Sequence, residues 1–387
     1  MRILIVHNFY QHHGGEDVVF EQEMKLLATR HDVKSVRLRN KKGWKGVLQY
    51  LFYPWNIFSA QKVLKEVKSF APDIVHVHNT HYAIGPLLFR SLYKRKVPVV
   101  QTLHNFRILD PSAILFHKGK VFTDTITKEF PWKSVRNKVL DNSWIKTFLT
   151  AFTYYFHKKI GTWQHVDKFL VFSEFAKGLL LQSSLRLASN QIAVKPNFVY
   201  PIVQQTAHTR ENYFVYIGRL SVEKGITPML EAFAESGLVL KIYGTGPLQD
   251  TVKKYVHLHT NIEYYGFQPK EVLHETLSCS QALIMPSVCF EGMPMTILDA
   301  FASGTPVIAS KIGILSEMVQ PGKNGLHIEP NDKNSLIQAL YNWQYLRLEE
   351  KKQMSENCKN EYWEKYSPEK NVSLLERIYQ EVKINQQ

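Results

Sequence analysis

Strand-length runs of Val, Ile and Leu, nearly unbroken by polar residues, recur along this chain with helix-length amphipathic segments between them. They come in two successive sets. Such runs suit strands buried on both faces of a parallel sheet. The first set is Ile3–His7, Val33–Leu38, Ile74–His78, Val97–Leu103 and Phe169–Phe172, with helical patterns between them such as Val18–Thr29 and Ile57–Ser69. This βαβ alternation predicts a doubly wound domain. Residues Val194 to Phe198 end the set, and Pro196 and Pro201 bracket a short polar connection that reads as the interdomain linker. The alternation then restarts. Strands are expected at Phe214–Ile217, Val239–Tyr243, Ile262–Tyr265, Ala282–Met285, Val307–Ala309 and Leu326–Ile328, and helices near 226–236, 247–258, 270–278, 295–303 and 333–346. The predicted domains are residues 1–197 and 198–366. An amphipathic helix carrying Leu374, Leu375, Ile378 and Val382 should occupy 367–387. A chain of 387 residues can bury a core in each of two such domains. Ligands of open α/β sheets bind beyond the carboxyl ends of the strands, so two facing domains would form one deep site between them.

Charge is unevenly placed. Residues 1–198 hold 30 Lys and Arg against 13 Asp and Glu (+17), residues 199–387 hold 18 against 21 (−3), and the sum is the net +14. A basic first half suits an anionic partner such as nucleic acid, a phospholipid surface or a phosphorylated substrate, or is simply a solvated basic surface. No helix-turn-helix, zinc or RNP-type pattern accompanies the charge, which argues against nucleic acid. Aromatic and basic residues mix at Lys118–Lys159, with Trp144, Phe148, Phe152 and Phe156, and again from Arg37 to Trp55. Such a mix fits a contact at membrane headgroup level, or the core packing of an inserted helical pair. Cys279, Cys289 and Cys358 match no disulfide or zinc framework and suit a reducing, cytoplasmic setting. The apolar run Ile3–Val6 is too short for a secretory signal, and no run approaches the ~20 residues of a membrane span.

Several motifs lie at strand ends. Gly14 and Gly15 follow the first strand and precede a helix, either as a simple turn or as a loop that offers backbone amides to a phosphate. Gly218, Arg219 and Lys224 follow the strand Phe214–Ile217, where two cations could balance a leaving diphosphate without a metal. Residues Tyr243 to Pro247 contain Gly244 and Gly246, but Gln249 stands where a dinucleotide fingerprint needs its third glycine, which disfavours nicotinamide binding. The densest signal runs from Pro286 to Ala309. Glu291 falls in a loop after a strand, and Asp299 falls about one turn into the following helix. Met293, Met295 and Thr296 stand at the helix start, where free amides would receive phosphates while carboxylates accept from sugar hydroxyls.

These residues resemble family 4 of the retaining glycosyltransferases. Glu291-x7-Asp299 is similar to that family's E-x7-E, Gly218 to Gly225 to its phosphate-binding Arg/Lys block, and Thr102 to Asn105 to its N-domain histidine motif. The opening Val6 to Val19 resembles a bacterial subgroup that builds surface polysaccharides. The resemblance covers essentially the whole chain. It implies the α/β GT-B fold, two Rossmann-like domains facing across a cleft, with acceptor in the first and nucleotide sugar in the second. Two positions depart from the pattern. The second motif acid is Asp299 rather than Glu, and Asp110, Phe122 and Thr125 stand in a stretch where subgroup members carry cysteines.

The resemblance also implies roles. Arg219 and Lys224 would stabilise the diphosphate, assisted by Gly14, Gly15, Gly218, Gly244 and the amides of Met293, Met295 and Thr296. Glu291 would bind sugar hydroxyls, Asp299 the ribose, and His104 the transferred hexose-type sugar. No Asp-x-Asp occurs, so a site without metal or other cofactor is expected. The expected donor is a UDP- or GDP-linked sugar. The expected acceptor is a polyprenyl-diphosphate-linked glycan at the inner face of the cytoplasmic membrane, which the enzyme would touch as a peripheral protein. The alternatives are a nucleotide-sugar epimerase or phosphorylase on the same fold and, remotely, a nucleic-acid-binding protein.

Overall fold

A computed structural model describes residues 1–11, 14–201 and 210–384. The chain divides into two compact units. The first comprises residues 1–115, 122–197 and 371–387, and the second residues 116–121 and 198–370.

The first unit is built on a six-stranded parallel sheet of β1 (Arg2–Phe9), β2 (Asp32–Arg39), β3 (Ile74–Val77), β4 (Val99–Thr102), β7 (Lys168–Val171) and β8 (Ile192–Val194), in the order β2-β1-β3-β4-β7-β8. The short antiparallel pair β5 (Phe116–His117) and β6 (Lys120–Val121) lies between β4 and β7 in sequence. Ile3 to Val6 are wholly buried, as strands covered on both faces require. Helices α1 (Gly15–Ala28), α2 (Gly43–Leu51), α3 (Ile57–Phe70), α4 (Leu87–Tyr93), α5 (Trp132–Arg136), α6 (Trp144–Lys159) and α7 (Glu174–Gln182) supply the crossovers and an insertion. Side chains of Asn56, Ser143 and Ser173 accept from the first-turn amides of α3, α6 and α7, which fixes where those helices begin.

The second unit repeats the plan with β9 (Phe214–Ile217), β10 (Leu240–Tyr243), β11 (Ile262–Gly266), β12 (Leu283–Met285), β13 (Val307–Ser310) and β14 (Gly325–Ile328), ordered β11-β10-β9-β12-β13-β14 and parallel throughout. Its helices are α8 (Ile226–Ser236), α9 (Gln249–Leu258), α10 (Lys270–Cys279), α11 (Met295–Ala302), α12 (Gly313–Met318), α13 (Lys333–Tyr345) and α14 (Leu348–Glu361). Phe214, Met229, Phe233, Ile242, Ile284 and Trp343 belong to one buried cluster in this unit. The three cysteines are free and buried.

Helix α15 (Pro368–Ile384) leaves the second unit and, from Asn371 onward, belongs to the first. Val372, Leu375, Ile378, Tyr379 and Val382 are buried there, and Lys383 meets Asp73 at 3.0 Å.

Two expectations need correction. The connection bracketed by Pro196 and Pro201 is not a solvated polar link, since Asn197, Phe198 and Val199 are buried. Val194 closes β8, which pairs with β7, and Lys195 is buried. The sequence reading also lacked α12 and α14. α12 is only six residues long, and half of α14 is charged, with Met354, Cys358 and Glu361 as its buried face.

Candidate functional site

In the second unit, β9 and β12 are neighbours in the sheet although the chain moves outward from them in opposite directions, so the crevice at their carboxyl ends is a topological switch point. Two of the predicted residues, Lys224 and Glu291, meet here. Lys224, in a short 3-10 turn after β9, places its Nζ 2.6 Å and 2.8 Å from the two carboxylate oxygens of Glu291, in the loop after β12. Ser287 Oγ donates to Glu291 Oε1 at 2.5 Å. The two loops are also joined by Val288 N donating to Glu223 O at 2.9 Å. Burial opposes the charge on Lys224, but the Glu291 carboxylate outweighs it and holds the ammonium above its ordinary range. Burial and the same carboxylate push the Cys289 thiol up to about 12, so it is a buried neutral group.

Two glycines let backbone pack against backbone. Gly225 has φ +69°, and a Cβ there would lie 2.0 Å from Pro286 O. Gly244, at φ +123°, would bring one to 1.9 Å from Gly218 O, so the loops leaving β9 and β10 touch. Gly218 itself lies under Tyr216, whose hydroxyl donates to Arg219 O at 2.8 Å. The Arg219 side chain is exposed.

Helix α11 begins at Met295, with Thr296 next, and its first amides have no partner within the helix. Met293 is buried just before it. Asp299 lies one turn in and is not joined to the Lys224–Glu291 pair. Its Oδ1 stands 3.4 Å from Lys270 Nζ and 3.4 Å from His274 Nε2, both on α10.

In the first unit, Gly14 caps α1 and donates its amide to Asp17 Oδ2 at 2.9 Å, and Gly15 opens the helix in unobstructed space. His104, just past β4, lines a small cavity with Tyr10, Glu16, His78 and Arg107. Burial raises the Glu16 carboxyl to about 7 against the opposing pull of Arg107.

Beneath His104 lies a buried polar cluster that sequence reasoning missed. His104 Nε2 is 3.0 Å from His78 Nδ1, and His78 Nε2 is 3.2 Å from Glu23 Oε1. Glu23 Oε2 is ion-paired with Lys195. His76 Nδ1 lies 3.1 Å from Glu23 Oε1 and 2.7 Å from the Tyr379 hydroxyl of α15, while its Nε2 lies 2.8 Å from Thr102 Oγ1. Glu23, His76 and His78 are also the one group among the described residues whose ligand atoms are close enough to share a metal ion. The Lys195 ammonium already serves that carboxylate, and both nitrogens of His76 have protein partners.

Residues 14–201 match the family described as Glycosyltransferase Family 4, and residues 202–361 match Glycosyl transferases group 1. The chain belongs to the family 4 glycosyltransferases. Among curated relatives of this family 4 chain, the lipopolysaccharide 1,2-N-acetylglucosaminetransferase of Salmonella typhimurium is 29% identical over 44% of the chain and 47% of its own length. Matches to the first curated relatives span between 19% and 52% of those proteins. Among solved structures, sucrose-phosphate synthase from Thermosynechococcus elongatus superposes with a TM-score of 0.71 over 99% of both chains at 15% identity. HepE of Anabaena, solved in complex with UDP, gives 0.68 over 98% of this chain and 99% of that one, also at 15%. At these identities the likeness establishes the GT-B fold.

The sequence singled out Lys224 and Glu291 separately, as diphosphate and sugar ligands, and missed that they pair. It also missed Ser287, Lys270 and His274, which carry no motif of their own. A signal for Glu23 was available: an acid on the inward face of an amphipathic helix, with Lys195 as the one charge at the end of a buried run.

Proposed function

We propose that this protein is a retaining glycosyltransferase that moves a hexose-type sugar from a UDP- or GDP-linked donor to a lipid-linked glycan during assembly of a bacterial surface polysaccharide. The observation that carries the reading is the Lys224–Glu291 pair at the switch point of the second sheet, beside the open amides of α11. A nucleotide sugar would divide the pair's functions. Lys224 and the exposed Arg219 meet the diphosphate, Glu291 accepts from sugar hydroxyls, and the amides near Met293, Met295 and Thr296 add partial positive charge. Asp299 holds the ribose. Gly14 and Gly15 support the phosphates from the first unit, where His104 touches the transferred sugar. As the bond from the anomeric carbon to the diphosphate breaks, a phosphate oxygen takes the acceptor hydroxyl's proton on the same face, and the new glycosidic bond forms with retained configuration. The cations stabilise the leaving group, so no metal is required.

The acceptor side rests on the surface of the first unit. α2 buries none of its residues, and Trp44 (69% exposed), Leu51 and, on α3, Phe58 (69%) form an exposed apolar face. Beside it runs an open groove of about 880 Å³ lined by Arg37, Arg39, Lys41, Lys42, Lys45 and Lys62. Trp132, Trp144 and Ile145 add exposed apolar area on α5 and α6, while Phe148, Phe152 and Phe156 stack along α6. Apolar side chains beside a cationic groove suit the diphosphate headgroup of a lipid carrier at the inner face of an anionic cytoplasmic membrane. Among the described residues no helix is long and apolar enough to cross a membrane.

The test combines binding with turnover. UDP or GDP should raise the melting temperature by mass action. Transfer from the matching sugar nucleotide to a polyprenyl-diphosphate-linked acceptor should persist in chelator. Arg219→Ala and Lys224→Ala should each lose roughly a hundredfold in turnover, as for removal of one transition-state charge partner. Turnover within twofold of wild type in both variants would sink the assignment.

A further inference from the structure

Glu23, Lys195, His78 and His104 are drawn from four different elements, α1, the exit of β8, the exit of β3 and the exit of β4. Glu23, Lys195 and His78 are essentially inaccessible to solvent. A buried ion pair of this kind contributes little net stability and is costly to break. Its geometry has a chemical consequence that runs outward to His104.

Burial alone would raise the Glu23 carboxyl, but Lys195, His76 and His78 outweigh it and hold the group well below the usual carboxylate range. An ionised carboxylate only accepts. The His78 nitrogen nearest it, Nε2, stands 3.2 Å away outside hydrogen-bond alignment, and the negative charge at that distance favours the ring proton on this nitrogen. Burial first, then His76, brings the His78 pKa down to about 3, so the ring is neutral and its Nδ1 carries a lone pair. That lone pair lies 3.0 Å from His104 Nε2, with the two rings 25° from parallel. His104, held neutral by burial and by His78, must place its proton on Nε2. Its Nδ1 is left as an acceptor.

We infer that Glu23, fixed by Lys195, acts through His78 to set the tautomer of His104, so that His104 accepts a hydrogen bond from a hydroxyl of the bound sugar rather than donating one to a phosphate or carbonyl oxygen. Glu23, Lys195 and His78 are positioning residues; only His104 touches substrate. The hydroxyl contact rests on the proposed function above, whereas the tautomer stands on this cluster alone.

The experiment uses the full chain labelled with ¹⁵N-histidine. Two-bond ¹H–¹⁵N spectra read the protonated nitrogen of each ring, and His104→Asn assigns the signal. The expected wild-type state is neutral with the proton on Nε2. Glu23→Gln alone strands the Lys195 charge in the interior and risks unfolding, so it is paired with Lys195→Met, which removes both charges at similar volume. A glutamine can offer either a donor or an acceptor, so the tautomer is no longer dictated. The folded double variant, checked by circular dichroism melting, should show mixed tautomers at His104. Its kcat should fall roughly 10- to 100-fold, the usual cost of losing an orienting partner, with KM for the nucleotide sugar within twofold. A proton on Nδ1 of His104 in the wild type would overturn the inference, as would an unchanged tautomer and kcat in the double variant. Wild-type turnover in His104→Ala would overturn the hydroxyl contact, and the spectrum would still decide the relay.

Discussion

Glycine 225 shows how tightly single positions define the donor end. Its left-handed backbone and the 2.0 Å approach a Cβ would make to Pro286 O leave room for no side chain. Gly225→Ala must shift the peptide that opens the loop carrying Ser287 and Glu291. Strain of this kind costs roughly 1–3 kcal/mol. Urea melts should show that loss, together with weaker nucleotide binding; an unchanged melt would show that the loop gives way freely. At this scale the sequence was legible where chemistry and spacing coincide. Lys224 and Glu291 stand out because each follows a buried strand. Their direct pairing did not, since 67 residues separate them and only the sheet order brings their loops together. Glu23 carried a fainter signal, its place on the inward face of an amphipathic helix beside Val19, Phe20 and Leu27, with no motif around it.

Elements were readable in proportion to their periodicity. The strands of the second unit fall within about a residue of their apolar runs, and the helix expected near 226–236 spans Ile226–Ser236. β8 was lost because three residues carry little pattern, and the prolines after it suggested a break. Helix α2 is the element whose surroundings carry the most consequence. With every residue at least partly exposed and Lys41, Lys42 and Lys45 nearby, it should hold the protein on anionic vesicles. Trp44→Ser with Leu51→Ser should lower the bound fraction in sedimentation several-fold on phosphatidylglycerol vesicles, by removing ~1.5–3 kcal/mol of burial per side chain. Raising the salt should weaken binding of the wild type. Equal sedimentation of variant and wild type would remove α2 from the contact.

At the scale of the whole molecule, the histidines set the response to acid. Burial lowers the pKa of His78 to about 3 and that of His157 to about 4, and brings His81 and His104 well below the ordinary value. These rings are neutral when folded and titrate near 6.5 when unfolded. The unfolded chain then binds more protons, so their stabilisation is complete above pH 6.5. It is lost as pH falls toward the folded values, by ~1.4 kcal/mol per unit for each ring. Glu16, raised to about 7, acts the other way between about 4.5 and 7, but it is one group against four. Thermal melts should show stability dropping steeply from pH 6.5 to 5; a flat profile would contradict the buried neutral rings. The double α/β plan behind this was visible from the alternation of runs, and the return of α15 to the first unit was not, because an amphipathic pattern does not say which surface it meets. That return has a temporal consequence. The ribosome makes residues 371–384, with the Tyr379 that closes over His76, only after all of the second unit. The first unit is therefore completed only after the second, reversing the usual order in which domains finish during synthesis, and until then His76 and Asp73 lack their partners Tyr379 and Lys383.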